Sequence, residues 1–172
     1  MNCRISNQLT IQHVDELKKI SIQSFIETFA STNSAENLNS YLENAFTITK
    51  LSNELSNPNS FFYFALDGND VIGYLKLNIQ DAQTELINNN ALEIERIYVL
   101  KDFHGAKVGQ LLFAKALEVA SQLGVPYVWL GVWEKNEKAI NFYQKNGLTV
   151  FDKHIFKMGN EEQTDYMMKL DL

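Results

Sequence analysis

With 172 residues and 45% hydrophobic content, the chain can bury a core without metals or disulfides, and its single cysteine, Cys3, excludes an internal disulfide. Fifteen Lys and Arg against 21 Asp and Glu give a net charge of −6, and no stretch gathers basic residues as a nucleic-acid surface would. No run approaches the roughly 20 apolar residues of a membrane helix, and the first turns of the chain lack a secretory apolar core. The expectation is therefore one domain over residues 1–172, in the cytoplasm, with neither nucleic acid nor membrane as partner.

Residues 2–11 read as a short strand. From Asp15 to Phe29, the residues Leu17, Ile20, Ser24, Phe25 and Thr28 recur at helical spacing. Ser34 is a candidate cap for a second helix whose stripe is Leu38, Tyr41, Leu42, Ala45 and Phe46. A third short helix is expected from Thr47 to Leu55, stopped at Asn57-Pro58-Asn59 because proline disfavours helical geometry in the residue before it. Two apolar runs, Phe61–Leu66 and Val71–Ile79, flank Asp67-Gly68-Asn69-Asp70 and read as a hairpin. After a polar loop, Gln80 to Ala91, comes a strand carrying Ile94, Ile97, Tyr98 and Val99, then a turn containing Gly105 and Gly109. The helix that follows has Val108, Leu111, Leu112, Ala116, Val119, Ala120 and Leu123 on one stripe. A strand at Tyr127–Trp133, a helix over 136–146 ending at Gly147, and strands over Leu148–Met158 and Gln163–Leu170 joined by Gly159-Asn160-Glu161-Glu162 complete the chain. This order implies an α/β protein with a mixed sheet and helices on both faces.

Two features carry chemistry. Alternation along the strand sets Glu93, Glu95, Ile97 and Val99 on one side and Ile94, Arg96 and Tyr98 on the other. The two glutamates either pair with Arg96 and lysines on a solvated edge or, beside an apolar cleft, are desolvated toward the pKa of a general base. The turn that follows opens a helix whose first N–H groups lack internal partners. Glycine lets an anion approach such a site, although a plain turn has the same composition. Further on, Asn136 and Tyr143 fall nearly in line on one helix face, where both can meet one ligand. His13, His104 and His154 are scattered without the spacing of a zinc site, so no metal is expected.

The turn Phe103–Gly109, followed by Asn136, Ala139, Phe142-Tyr143 and Gly147-Leu148, resembles the signature of the GNAT superfamily of N-acetyltransferases. The strings LEIERIYV, WLGVWEKNEKAINFY and MGNEEQTD are similar to bacterial PaiA-type spermidine/spermine acetyltransferases. The resemblance implies a sheet of about seven strands, mostly antiparallel, and acetyl-CoA as co-substrate. It implies that main-chain groups of Ile97, Tyr98 and Val99 hold the pantetheine arm and that His104, Gly105, Ala106, Lys107, Val108, Gly109 and Gln110 supply amides to the pyrophosphate. It further implies that Asn136 and Tyr143 meet the cofactor. The turn departs from the family pattern at His104 and at Lys107, which replaces a glycine; Lys107 is expected in a geometry open to a side-chain-bearing residue.

A primary ammonium, with a pKa near 10.4, must lose a proton before it attacks a thioester. Glu95 is the first choice of base, with Glu93 acting through a water as the second, and Tyr143 is the acid for the leaving thiolate. Direct transfer needs no cysteine nucleophile. The expected acceptor is a small cationic amine, a polyamine first; Glu27, Glu36, Glu161, Glu162 and Asp165 are its candidate partners, with ordinary solvated surface as the other reading of each. A protein N-terminus or a small toxic amine as acceptor, or a regulator that binds acetyl-CoA without turnover, are the alternatives. A homodimer is an allowed assembly.

Overall fold

Among the described residues, seven strands form one sheet: β1 (Cys3–Ile5), β2 (Ser60–Asp67), β3 (Asp70–Ile79), β4 (Leu92–Val99), β5 (Tyr127–Trp133), β6 (Thr149–Met158) and β7 (Glu161–Asp171). A computed structural model describes residues 2–85, 88–158 and 161–172. The spatial order is β1-β2-β3-β4-β5-β7-β6, and β4 and β5 are the parallel neighbours. The turn expected at Gly159-Asn160 lies outside the described residues, as do Leu86 and Ile87 of the polar loop. Among the described residues no helix is long and apolar enough to cross a membrane.

The expected first strand is shorter than residues 2–11. It ends at Ile5, where the Ser6 hydroxyl accepts the Phe64 N–H at 2.9 Å and replaces the regular ladder, and a single 3-10 turn, Ile11–His13, follows. Three helices follow, α1 (Val14–Phe29), α2 (Ala35–Ala45) and α3 (Ile48–Ser56), and α2 starts at the cap expected for it, Ser34. Ser34 Oγ accepts the Asn37 N–H and Thr47 Oγ1 accepts the Lys50 N–H, each satisfying an orphan donor of the first turn.

These three helices cover one face of the sheet, where Leu17, Ile20, Phe25, Leu38, Phe46 and Leu51 meet Phe62, Phe64 and Tyr74. The helices α4 (Val108–Leu123) and α5 (Glu137–Lys145) cover the other, where Val108, Leu112, Phe113, Ala116 and Ala120 meet Leu75, Leu77, Leu92, Ile94 and Leu130. Leu111 and Leu123, expected in the same stripe as Val108, lie at its solvent margin. From Tyr74 on, the β3 residues alternate: Leu75 and Leu77 face α4, while Tyr74, Lys76 and Asn78 lie on the α1 side; Ile72, which also faces α4, is the extra residue where the register with β2 shifts.

Strand β4 breaks its own alternation. The register with β3 pairs Lys76 with Arg96 but Leu77 with Ile94, so Glu95 is an extra residue in a β-bulge. The bulge corrects the two-faced reading of this strand: Leu92, Ile94, Ile97 and Val99 all pack toward α4, whereas Tyr98 packs toward α1. Arg96, expected opposite the glutamates, ion-pairs with Glu95 at 2.9 Å. Beyond the bulge β4 and β5 part. Their ladder consists of Leu92 opposite Val128 and Glu93 opposite Trp129, which leaves a crevice between the C-terminal halves of the two strands.

Candidate active site

The α1 face of β3 and β4 forms a floor of cross-strand pairs: Asn78 opposite Glu93, Lys76 opposite Arg96, and Tyr74 opposite Tyr98. Glu95 Oε2 accepts Lys76 Nζ at 2.5 Å and Asn78 Nδ2 at 2.6 Å, and its Oε1 accepts Arg96 Nη2 at 2.9 Å. Glu54, from α3, closes the ring by taking both Arg96 Nη atoms, at 2.9 and 3.1 Å, and Lys76 Nζ at 3.2 Å. Two acids and two bases thus balance in a partly dry setting. Burial alone would raise the Glu95 carboxyl, but the Arg96 and Lys76 charges and their hydrogen bonds outweigh it and hold the group at about 2.

Glu93 has a different environment. It is 2% exposed, and among the described residues no cation is ion-paired with it. Its Oε2 accepts the Thr84 N–H at 2.9 Å and Asn78 Nδ2 at 3.0 Å, and its Oε1 accepts the Thr84 hydroxyl. Burial raises its carboxyl, partly offset by the Thr84 and Asn78 hydrogen bonds, with the Glu95 charge adding to the rise. An open cleft of about 380 Å³ lies over the floor, lined by Lys50, Glu54, Ser60, Lys76, Thr84, Glu95 and Arg96 among others. Farther along the same face, Asp165 is half-buried; burial raises its carboxyl, His154 opposes the rise and Glu134 adds to it.

At the other end of β4 the groups on offer are main-chain ones. The His104 N–H is spent on the Lys101 carbonyl and the Ala106 N–H on Phe103, so these two do not join the expected set of free amides. Among the described residues, the N–H groups of Gly105, Lys107, Val108, Gly109 and Gln110 have no acceptor in hydrogen-bonding geometry. Lys107, at φ +63° and ψ 11°, is left-handed at the cap of α4. A geometry open to a side-chain-bearing residue is expected there; Lys107 instead adopts a left-handed conformation that favours glycine. Lys138 Nζ donates to His104 Nδ1 at 2.8 Å, so His104 Nε2 carries the hydrogen and donates to the Val99 carbonyl at 2.8 Å.

Asn136 caps α5, its Oδ1 accepting the Ala139 N–H at 3.2 Å. Tyr143 is 7% exposed in the α4-side core, and burial pushes its phenol upward, so it stays protonated at neutral pH. Of the candidate acceptor residues, Glu27 is turned away to other work: it takes the Lys101 N–H at 2.7 Å and Gln23 Nε2 at 3.0 Å. Glu36 is exposed in the first turn of α2, and Glu162 is exposed opposite Lys157 near the start of β7. The Glu161 side chain lies outside the described residues. Sequence reasoning missed Glu54, Lys76, Asn78 and Thr84. The signal for two of them was present, since Lys76 and Asn78 are alternate polar residues inside the apolar run of β3.

Residues 16–148 match the model of the acetyltransferase (GNAT) family. An uncharacterized N-acetyltransferase of the pepI 3' region in Lactobacillus delbrueckii subsp. lactis is 43% identical over 162 residues, 94% of either chain. The spermidine N(1)-acetyltransferase of Thermoplasma acidophilum is 25% identical over 166 residues, 94% of this chain and 93% of that one. The crystal structure of PaiA N-acetyltransferase from the same organism, in complex with coenzyme A, superposes with a TM-score of 0.82 at 25% identity over the whole of both chains.

Proposed function

The chain belongs to the acetyltransferase (GNAT) family and is an acetyl-CoA-dependent N-acetyltransferase, and from that premise we propose that it acetylates a primary amine of a polyamine of the spermidine class. The observation that carries the chemistry is the contrast between two glutamates on one strand. Glu95 is held in an ion ring as an anion at neutral pH, whereas Glu93 is desolvated, with no ion-paired cation among the described residues, at the point where β4 and β5 part. A carboxylate held near 2 is a weak base, and one raised by burial is better matched to an amine proton. Glu93 is therefore our base, in preference to Glu95, and the ring of Glu95 fixes the bulge that shapes the crevice.

In this reading the pantetheine arm lies along the main chain of Ile97, Tyr98 and Val99. The pyrophosphate is received by the N–H groups of Gly105 and Lys107 to Gln110, where the helix dipole and the Lys107 ammonium favour an anion. Asn136 keeps its Nδ2 for the cofactor while its Oδ1 caps α5. Tyr143, buried and protonated, donates to the departing thiolate. The half-buried Asp165, with Glu134 nearby, is suited to a distal ammonium of the acceptor. The polyamine assignment draws on the similarity to the spermidine acetyltransferase.

The test is a mass-spectrometric panel of spermidine, spermine, short diamines and a peptide N-terminus with acetyl-CoA. Spermidine or spermine should gain one acetyl group at the highest kcat/KM. Acetylation confined to the peptide or to a monoamine would overturn the polyamine class, and coenzyme A release with no acetylated amine would overturn the transfer itself.

A further inference from the structure

The base that the mechanism requires is enclosed, and the route to it runs through one residue. Glu93 is absent from the lining of the cleft, whereas Thr84, an exposed residue, belongs to it beside Lys76 and Glu95. Of the two Glu93 oxygens, Oε2 already receives two N–H donors, from Thr84 and Asn78. Behind it Asn78 is fully buried, with its own Oδ1 taken by the Ser60 hydroxyl at 2.9 Å. The remaining oxygen, Oε1, is met by the Thr84 hydroxyl. An acceptor nitrogen in the cleft therefore meets the threonine oxygen before it can meet the carboxylate.

The segment that carries Thr84 is anchored rather than loose. The neighbouring Gln83, 6% exposed, accepts Trp129 Nε1 at 2.7 Å and donates to the Gln80 and Asn88 carbonyls at 3.2 and 3.1 Å. Trp129 is the β5 residue paired with Glu93, so the base and the residue that covers it are tied to the same rung of the sheet.

Resting on the reading of Glu93 as base in acetyl transfer, the geometry points to Thr84 as a catalytic proton relay between the acceptor ammonium and Glu93. As an N–H bond of the ammonium breaks, its proton forms an O–H bond to Thr84 Oγ1, and the hydrogen already on Oγ1 passes to Glu93 Oε1. The ammonium becomes a neutral amine with a lone pair for the thioester carbon, the carboxylate becomes a carboxylic acid, and Thr84 ends as it began. No further reactant is needed.

The hydrogen bond from the Thr84 N–H to Glu93 Oε2 survives any side-chain change, so the hydroxyl on Oε1 can be tested by itself. Thr84→Val removes the hydroxyl and keeps the shape; it should lower kcat by roughly 10²-fold with the KM for acetyl-CoA within about twofold. Thr84→Ser should restore most of that loss. On a Glu93→Gln background, Thr84→Val should cost nothing more, since the relay has no terminus. Wild-type kcat in Thr84→Val, or losses that multiply in the double variant, would overturn the relay while leaving Glu93 as base. Wild-type kcat in Glu93→Gln would overturn the base assignment and the relay with it.

Discussion

The two ends of β4 perform different kinds of chemistry. At its N-terminal end, Glu93, Glu95 and Arg96 act through side chains, and the groups that set their charge come from α3, β3 and the segment after β3: Glu54, Lys76, Asn78 and Thr84. At its C-terminal end, from Val99 into α4, the chain offers main-chain amides aimed by a left-handed residue and a helix start. The first is a site of partners remote in sequence; the second is made within one continuous stretch, Val99 to Gln110. One is therefore sensitive to charge and the other to backbone conformation.

That contrast can be broken at either end. The largest effect is expected at Glu95: Glu95→Gln leaves Lys76 and Arg96 sharing Glu54 alone, at a cost of about 3 kcal/mol for a broken buried ion pair. For a chain of this size that is a fall in Tm of about 6–12 °C. Because the folded carboxyl is depressed to about 2, its contribution is complete above the ordinary carboxylate range and fades as pH falls toward 2. The gap in Tm between wild type and variant should close over that same interval, and equal melting at pH 7 would mean that the ring does not hold the bulge.

At the opposite end, Gly109→Ala is accommodated by the fold, since the nearest atom to the added methyl is a Phe142 ring carbon at 3.9 Å. The methyl would stand where the phosphates approach, raising the KM for acetyl-CoA about tenfold, or about 1.4 kcal/mol, with kcat retained. Steady-state kinetics with acetyl-CoA varied decide it; an unchanged KM would move the anion site away from this turn. The smallest effect belongs to Lys107→Gly. A left-handed lysine costs roughly 1–2 kcal/mol, of which glycine's freedom in the unfolded chain returns roughly 0.5–1. A rise in Tm of about 1–4 °C is expected by calorimetry, and a fall would show that the lysine side chain holds the turn.

The same contrast explains what the sequence made legible. The helices were marked by local signals: Ser34 as a cap, Gly147 at positive φ as a stop, and the apolar stripes of α1, α2 and α4. The turn before α4 was legible for the same reason, through Gly105, Gly109 and the apolar pattern that begins at Val108. The glutamates of β4 were visible, but their two environments were not: of the readings open to them, pairing with Arg96 holds for Glu95 and desolvation for Glu93. The bulge at Glu95 obeys no local rule, because it is set by register with β3. Glu54 and Thr84 carry no mark at all, since each acquires its role from a partner 42 or 9 residues away.

The two rungs that join β4 to β5 have a mechanical meaning. The sheet is a book lying partly open, with Glu93 and Trp129 on its spine and the crevice as the gap between its pages. A thin molecule slid into that gap would wedge the covers, and their angle would follow its thickness. Points on a spine travel least as covers swing, so the carboxylate assigned to take the proton keeps its address while the walls around it adjust.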